Sequence, residues 1–250
     1  MGRIARNKNH RGVFPVYGPT LVPTENVKFY CNFTTPVSEA RTNWRMDLLD
    51  SKNQIDVVGI AALNEVAVTG GVRFRIDFTM PTPSGGNGYY RFMIWNTVST
   101  EVKFISNPVR VTSQLCDIAY TSTVQYSSPN NIFNYDYEQD PQIETILRIE
   151  VNLTDTQFPD EQEEYKELST GLKKRYSSEL DKVYELETYY FDDAAHEAFA
   201  VMLQHEDLIM NDVPIVKDGD YSVETDTRQN VYRGRVTVID NNFANINRGC

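Results

Sequence analysis

Between Val13 and Thr112 apolar residues recur at alternate positions, and this period of two limits what the chain can fold into more than any other feature. The clearest run is Val72-Arg-Phe-Arg-Ile-Asp-Phe78, with Val72, Phe74, Ile76 and Phe78 on one face and Arg73, Arg75 and Asp77 on the other. Val27, Phe29, Cys31 and Phe33 alternate likewise, as do Trp44, Met46 and Leu48, and further runs span 89–95 and 102–111. Such alternation buries one face of a strand and gives no stripe on a helix. Gly, Pro, Ser and Asn separate the runs, most plainly in PTPSGGNG at 81–88, where Gly85-Gly86-Asn87-Gly88 reads as part of a β-hairpin. Six or seven short strands without a helical period predict a β-sandwich.

Spacing narrows the reading. Trp44 follows Cys31 by thirteen residues, like the B-strand Cys and C-strand Trp of an immunoglobulin-like domain. Gly88-Tyr89-Tyr90-Arg91-Phe92 resembles G-x-Y-x-C, with Tyr90 as the tyrosine corner and Phe92 in the place of the second cysteine. A phenyl ring there fills the space between sheets by packing, and Cys31 becomes a small buried apolar residue. A fibronectin-like variant is the nearest alternative. The three cysteines, Cys31, Cys116 and Cys250, are scattered and include no CxxC, as expected for reduced thiols in a cytosol.

The second half reads as α+β. Residues 114–143 form a Tyr- and Asn-rich connection with a turn at 128–131, and 146–153 form a strand with Leu147, Ile149, Val151 and Leu153 on one face. Tyr165, Leu168, Leu172 and Tyr176 recur at helical spacing, but Thr170-Gly171 interrupts them. The expectation is a β-hairpin about Gly171 and then a strand over 183–190. A helix opens at Asp192-Asp193 and runs to about Gln204, with Ala195, Phe199, Met202 and Leu203 as its apolar stripe. Short antiparallel strands follow, with turns at Asn211-Asp212 and Asp218-Gly219. One helix over an antiparallel sheet accounts for the pattern. The whole is a multidomain chain: a basic N-terminal arm at 1–12, an immunoglobulin-like β-sandwich at 13–113, an acidic α+β domain at 114–240 and a C-terminal tail at 241–250.

Charge supports the division. The net −11 splits into +5 over residues 1–113 (13 Lys/Arg against 8 Asp/Glu) and −16 over 114–250 (11 against 27). Arg3, Arg6, Lys8 and Arg11 precede the first acidic residue, Glu25, and form the candidate partner-binding arm. Four charges give weak, salt-dependent binding to nucleic acid, and the acidic half repels phosphate, so an anionic protein surface is the expected partner. No apolar run reaches the ~20 residues of a membrane helix, and the start has no apolar segment of a secretory signal, so no membrane or exported role is expected.

No chemical constellation emerges. His196 and His205, nine residues apart, face opposite sides of a helix and cannot share a metal; HExxH is absent. Asp218-Gly219-Asp220 with Glu224 and Asp226 lacks the order of a calcium loop and reads as a solvated turn. Asp136, Glu138 and Asp140 read as solvent-facing. No GxSxG, phosphate loop or GxGxxG occurs. Neither catalytic residue, metal nor cofactor is expected.

The succession LRIEVNL at 147–153, the Gly171 hairpin, YELETYYFDDAAHEAF at 184–199, LIMND at 208–212, DGDYSVE at 218–224 and RGRVTVIDNNFANINRGC at 233–250 resembles a domain of the ring (stabilisation) proteins in the neck and tail barrel of crAss-like podoviruses. The resemblance implies a non-enzymatic structural protein of a bacteriophage virion, assembled in the host cytoplasm. It implies a twelvefold homo-oligomeric ring below the portal, in contact with the portal and adjacent ring and tail proteins and close to packaged DNA. It carries over no binding residue. The bipolar charge fits head-to-tail packing, in which the basic arm or sandwich of one copy meets the acidic domain of the next. The alternatives are another virion part (head decoration, fibre adaptor or baseplate protein), a cell-surface carbohydrate- or protein-binding module, or a glycan hydrolase, which would need a carboxylate pair about 5–9 Å apart in a cleft.

Overall fold

A computed structural model describes residues 20–35, 41–68, 71–106, 108–130, 144–189, 191, 193–224 and 232–243. The protein is mostly β-sheet with few helices. No helix among them is long and apolar enough to cross a membrane.

The first half forms nine strands: β1 Thr20–Leu21, β2 Asn26–Thr35, β3 Trp44–Leu49, β4 Ile55–Val57, β5 Ala62–Val68, β6 Gly71–Thr79, β7 Gly88–Asn96, β8 Val102–Ile105 and β9 Val109–Val111. The second supplies α1 Leu115–Ile118, β10 Ser122–Ser127, β11 Thr145–Ile149, β12 Val151–Gln157, β13 Asp160–Lys166, β14 Lys173–Leu180 and β15 Val183–Thr188. Then come α2 Asp193–Met202, β16 Asp207–Met210, β17 Val213–Glu224 and β18 Arg233–Asp240.

One sheet runs β1-β9-β7-β3-β4, with β8 also on β7; β1 and β9 pair in parallel. The other runs β12-β15-β18-β17-β16-β10-β11-β2-β6-β5. The two pack face to face through aromatic side chains from alternate positions. Phe92 of β7 meets Phe29 of β2 at 6.2 Å and Phe78 of β6 at 5.5 Å, and Trp44 of β3 meets Phe74 of β6 at 6.3 Å. All five are buried, each contributing about 1.5–3 kcal/mol by leaving water.

Several expected elements take a different form. The PTPSGGNG segment is not a hairpin turn. It carries the chain from β6 in one sheet to β7 in the other, because a sandwich must cross between layers ~10 Å apart. Tyr90 pins this crossing: its hydroxyl donates to the Gly86 carbonyl at 2.8 Å, and a Cβ on Gly85 would stand 2.8 Å from that hydroxyl. The 102–111 run is broken at Ser106, whose Oγ accepts the Phe92 N–H at 2.9 Å, so β8 and β9 are separate. The supposed connection after Ser113 contains β10, in the interior of the ten-stranded sheet, with Ser122, Val124 and Tyr126 buried. Residues 131–143 of that connection lie outside the described residues, as do Asp136, Glu138 and Asp140. The 146–153 strand divides at Glu150: β11 pairs with β10 and β2, and β12 with β15. Asp218-Gly219 is no turn between strands; it forms a bulge inside the twelve-residue β17, with Gly219 at φ +82°.

The larger sheet crosses Ser113. Pairing of β11 with β2 at Ile146 and Lys28 joins second-half strands to the sandwich. Side chains reinforce this seam. Lys28 Nζ meets Glu144 at 2.8 Å, which raises the lysine pKa, and Glu144 also accepts Gln125 Nε2 at 2.5 Å.

Candidate interaction site

Among the described residues, the strands β13 and β14 form a two-stranded sheet of their own. A six-residue turn joins them: Glu167 N–H donates to the Leu172 carbonyl at 2.9 Å and Gly171 N–H to the Glu167 carbonyl at 2.8 Å. Gly171 sits at φ +69°, a left-handed conformation that glycine adopts without a Cβ penalty. Lys173 Nζ meets Glu164 at 3.2 Å across the tip. The expected hairpin about Gly171 is therefore present, and the helical spacing of Tyr165, Leu168 and Leu172 resolves into an apolar tip. Leu168 is 102% exposed, Leu172 62% and Tyr165 48%.

The hairpin is electrically polar along its length. Its outer part, 165–175, carries Lys166, Lys173, Lys174 and Arg175 against Glu167, a net of 4 − 1 = +3. Its base, 160–164 with 176–181, carries Asp160, Glu161, Glu163, Glu164, Glu179 and Asp181, a net of −6.

Beside that base lies a groove of about 370 Å³ lined by Gln157, Tyr184, Glu185, Asp220, Glu224 and Arg235, among others. The bulge in β17 shapes it. Arg235 is shared among three carboxylates, with Glu187 at 3.2 Å and Glu185 and Glu224 at 3.5 Å, and the hydrogen bond to Glu187 does most to raise its pKa. Glu185, Asp220 and Glu224 against one arginine leave the lining at −2.

Asp220 and Glu224 line the groove, while Tyr221 points to the other face, onto α2. There its ring meets Phe199 at 5.3 Å and its hydroxyl lies 2.5 Å from His196 Nδ1. His196 Nε2 lies 3.1 Å from the Tyr232 carbonyl and so carries the proton, which makes Nδ1 the acceptor of the phenol. Burial pushes the Tyr221 pKa up to about 12, against a smaller lowering by Thr188, so the phenol stays a donor. A Cβ on Gly234 would stand 2.0 Å from the Tyr221 hydroxyl, so only glycine fits beneath that ring. The groove thus rests on a sheet whose opposite face is fixed by helix packing.

Other polar groups are internal fixtures. His205 Nδ1 donates to the Val201 and Met202 carbonyls, both at 3.1 Å, closing the end of α2. The two histidines thus serve separate places. Asp47, fully buried, accepts the Gly59 N–H at 2.8 Å and Trp95 Nε1 at 2.7 Å and pairs with Arg45. Among the described residues no group of three or more His, Cys, Asp or Glu could hold a metal ion. Asp218 and Asp220 are exposed, and Asp226 lies outside the described residues.

Arg3, Arg6, Lys8 and Arg11, the sequence-predicted arm, lie outside the described residues, as do His10 and the tail at 244–250. Cys116 is an exposed free thiol. The hairpin tip and the groove were not singled out from sequence. The tip's signal was the lysine pair beside exposed leucines, whereas the groove joins β12, β15, β17 and β18 and has no contiguous signal. Compared with protein-family models and with curated proteins, the chain matches none.

Proposed function

We propose that this chain is a structural subunit that assembles with copies of itself, and that the assembly is the ring of a bacteriophage neck or tail, held against the portal and adjoining tail proteins. The exposed apolar tip of the β13–β14 hairpin carries the reading. A two-stranded hairpin is marginally stable alone in water, and apolar side chains held outward on one are what a neighbouring subunit covers. The internal use of Asp47, His196 and His205 favours a scaffold over a catalyst. The resemblance of residues 147–250 to ring proteins of crAss-like podoviruses supplies the virion, the twelvefold symmetry and the proximity to DNA.

The finer fold reading belongs with this proposal. The parallel β1–β9 pair, the Tyr90–Gly86 bond and the buried Phe92 facing Phe29 support an immunoglobulin-like sandwich for the first half. The antiparallel strands β15, β18 and β17 beneath α2 support an α+β second half. Electron microscopy of the purified full chain tests the ring: closed rings of uniform diameter are expected, and fields of single subunits at every concentration contradict it.

A further inference from the structure

We infer that the hairpin tip of one copy seats in the groove beside Arg235 of a second copy, so that identical subunits join head to tail. This rests on the self-assembly proposed above and names the two surfaces that make it. The occupant follows from charge. The outer hairpin is +3, while the groove lining is −2 and adjoins a hairpin base of −6, within a half of the chain that is −16 overall. Few basic clusters in that half match the acidic groove, and this one carries three exposed apolar residues beside its lysines.

Geometry makes the contact intermolecular. Gln157 and Val183 line the groove and flank the hairpin's base. The seven residues of β13 extend the tip roughly 23 Å from there, at ~3.3 Å per residue, and Leu168 at that tip is fully exposed, so the tip does not occupy its own groove. The groove holds about 370 Å³, and its polar, acidic lining suits the lysines that flank the tip. Tip and groove are different surfaces, so the contact is heterologous, and its repetition closes into a ring when the rotation permits.

Two variants of the full chain test this. Leu168→Asp with Leu172→Asp spoils the tip; Asp220→Lys with Glu224→Lys spoils the groove, and all four positions are exposed. Each variant alone should self-associate at least about tenfold more weakly than wild type in sedimentation velocity, with an unchanged melting curve. Mixed in equal amounts they should form a dimer and nothing larger, because one intact tip meets one intact groove. Wild-type assembly by the tip variant, or a mixture without dimer, overturns the inference and leaves the self-assembly reading intact. A monomeric wild-type chain instead contradicts that reading directly. Should the aspartate variant melt early, Leu168→Ser with Leu172→Ser gives the same readout.

Discussion

Arg148 and Glu25, 123 positions apart in sequence, form a two-pronged ion pair: Arg148 Nε meets Glu25 Oε2 at 3.0 Å and Nη2 meets Oε1 at 2.5 Å. The remaining nitrogen donates to Thr121 Oγ1 at 3.1 Å, so one guanidinium ties β11, the β1–β2 connection and the start of β10 together. The arginine side chain is only 14% exposed, which limits screening by water and salt. Arg148→Met keeps the apolar stem and removes the hydrogen bonds to Glu25 and Thr121. It should cost about 1.5–3 kcal/mol in chemical denaturation, and Arg148→Lys should recover part of the loss without the bidentate geometry.

Phe92 stands between Phe29 and Phe78 with no exposed surface. Phe92→Ala should lower stability by about 3–5 kcal/mol, through lost transfer energy and the cavity left behind. A change under ~1 kcal/mol in urea unfolding would show that the site collapses freely and that Phe92 does not stand in for a core disulfide.

Gly234→Ala should destabilise by about 1–3 kcal/mol, because the new methyl enters the Tyr221 ring and forces it from His196. Adding Tyr221→Leu should make the pair cost less than the sum of the single changes. A double-mutant cycle measures this, and strict additivity would contradict the steric account.

His205 is buried beneath Tyr126, with ring centroids 4.6 Å apart, and desolvation lowers its pKa against the opposing pull of two carbonyls. The unfolded chain protonates this ring near pH 6.5, where the folded chain still resists. Stability from this group is therefore whole above about pH 6.5 and declines as pH falls toward the lower folded value. Thermal melts across pH 7.5 to 5 should show that decline in wild type and a shallower one in His205→Gln; parallel curves would remove His205 as the cause.

Strands β2, β6 and β7 were legible because apolar residues alternate along them, and β3 was legible from Trp44, Met46 and Leu48 although Asp47 and Leu49 on its other face are buried too. β10 was not: Ser122 stands on the buried face where an apolar residue would announce a strand, and it satisfies its buried hydroxyl by donating to the Val151 carbonyl at 2.8 Å. The β17 bulge looked like a turn because Gly219 supplies the same left-handed backbone to either. The crossing at 81–88 looked like a hairpin because turn residues reveal a reversal and not which sheet receives the next strand. The candidate site was half readable. The Gly171 hairpin follows from local residues, whereas the groove exists only once β12, β15, β17 and β18 are side by side.

Self-association through unlike charges is the central claim, and sedimentation velocity of the full chain over a range of concentration and salt tests it most directly. Assembly should grow with concentration at low ionic strength and recede as salt shortens the Debye length from ~30 Å at 0.01 M to ~3 Å at 1 M. A single subunit-sized boundary under every condition would contradict it.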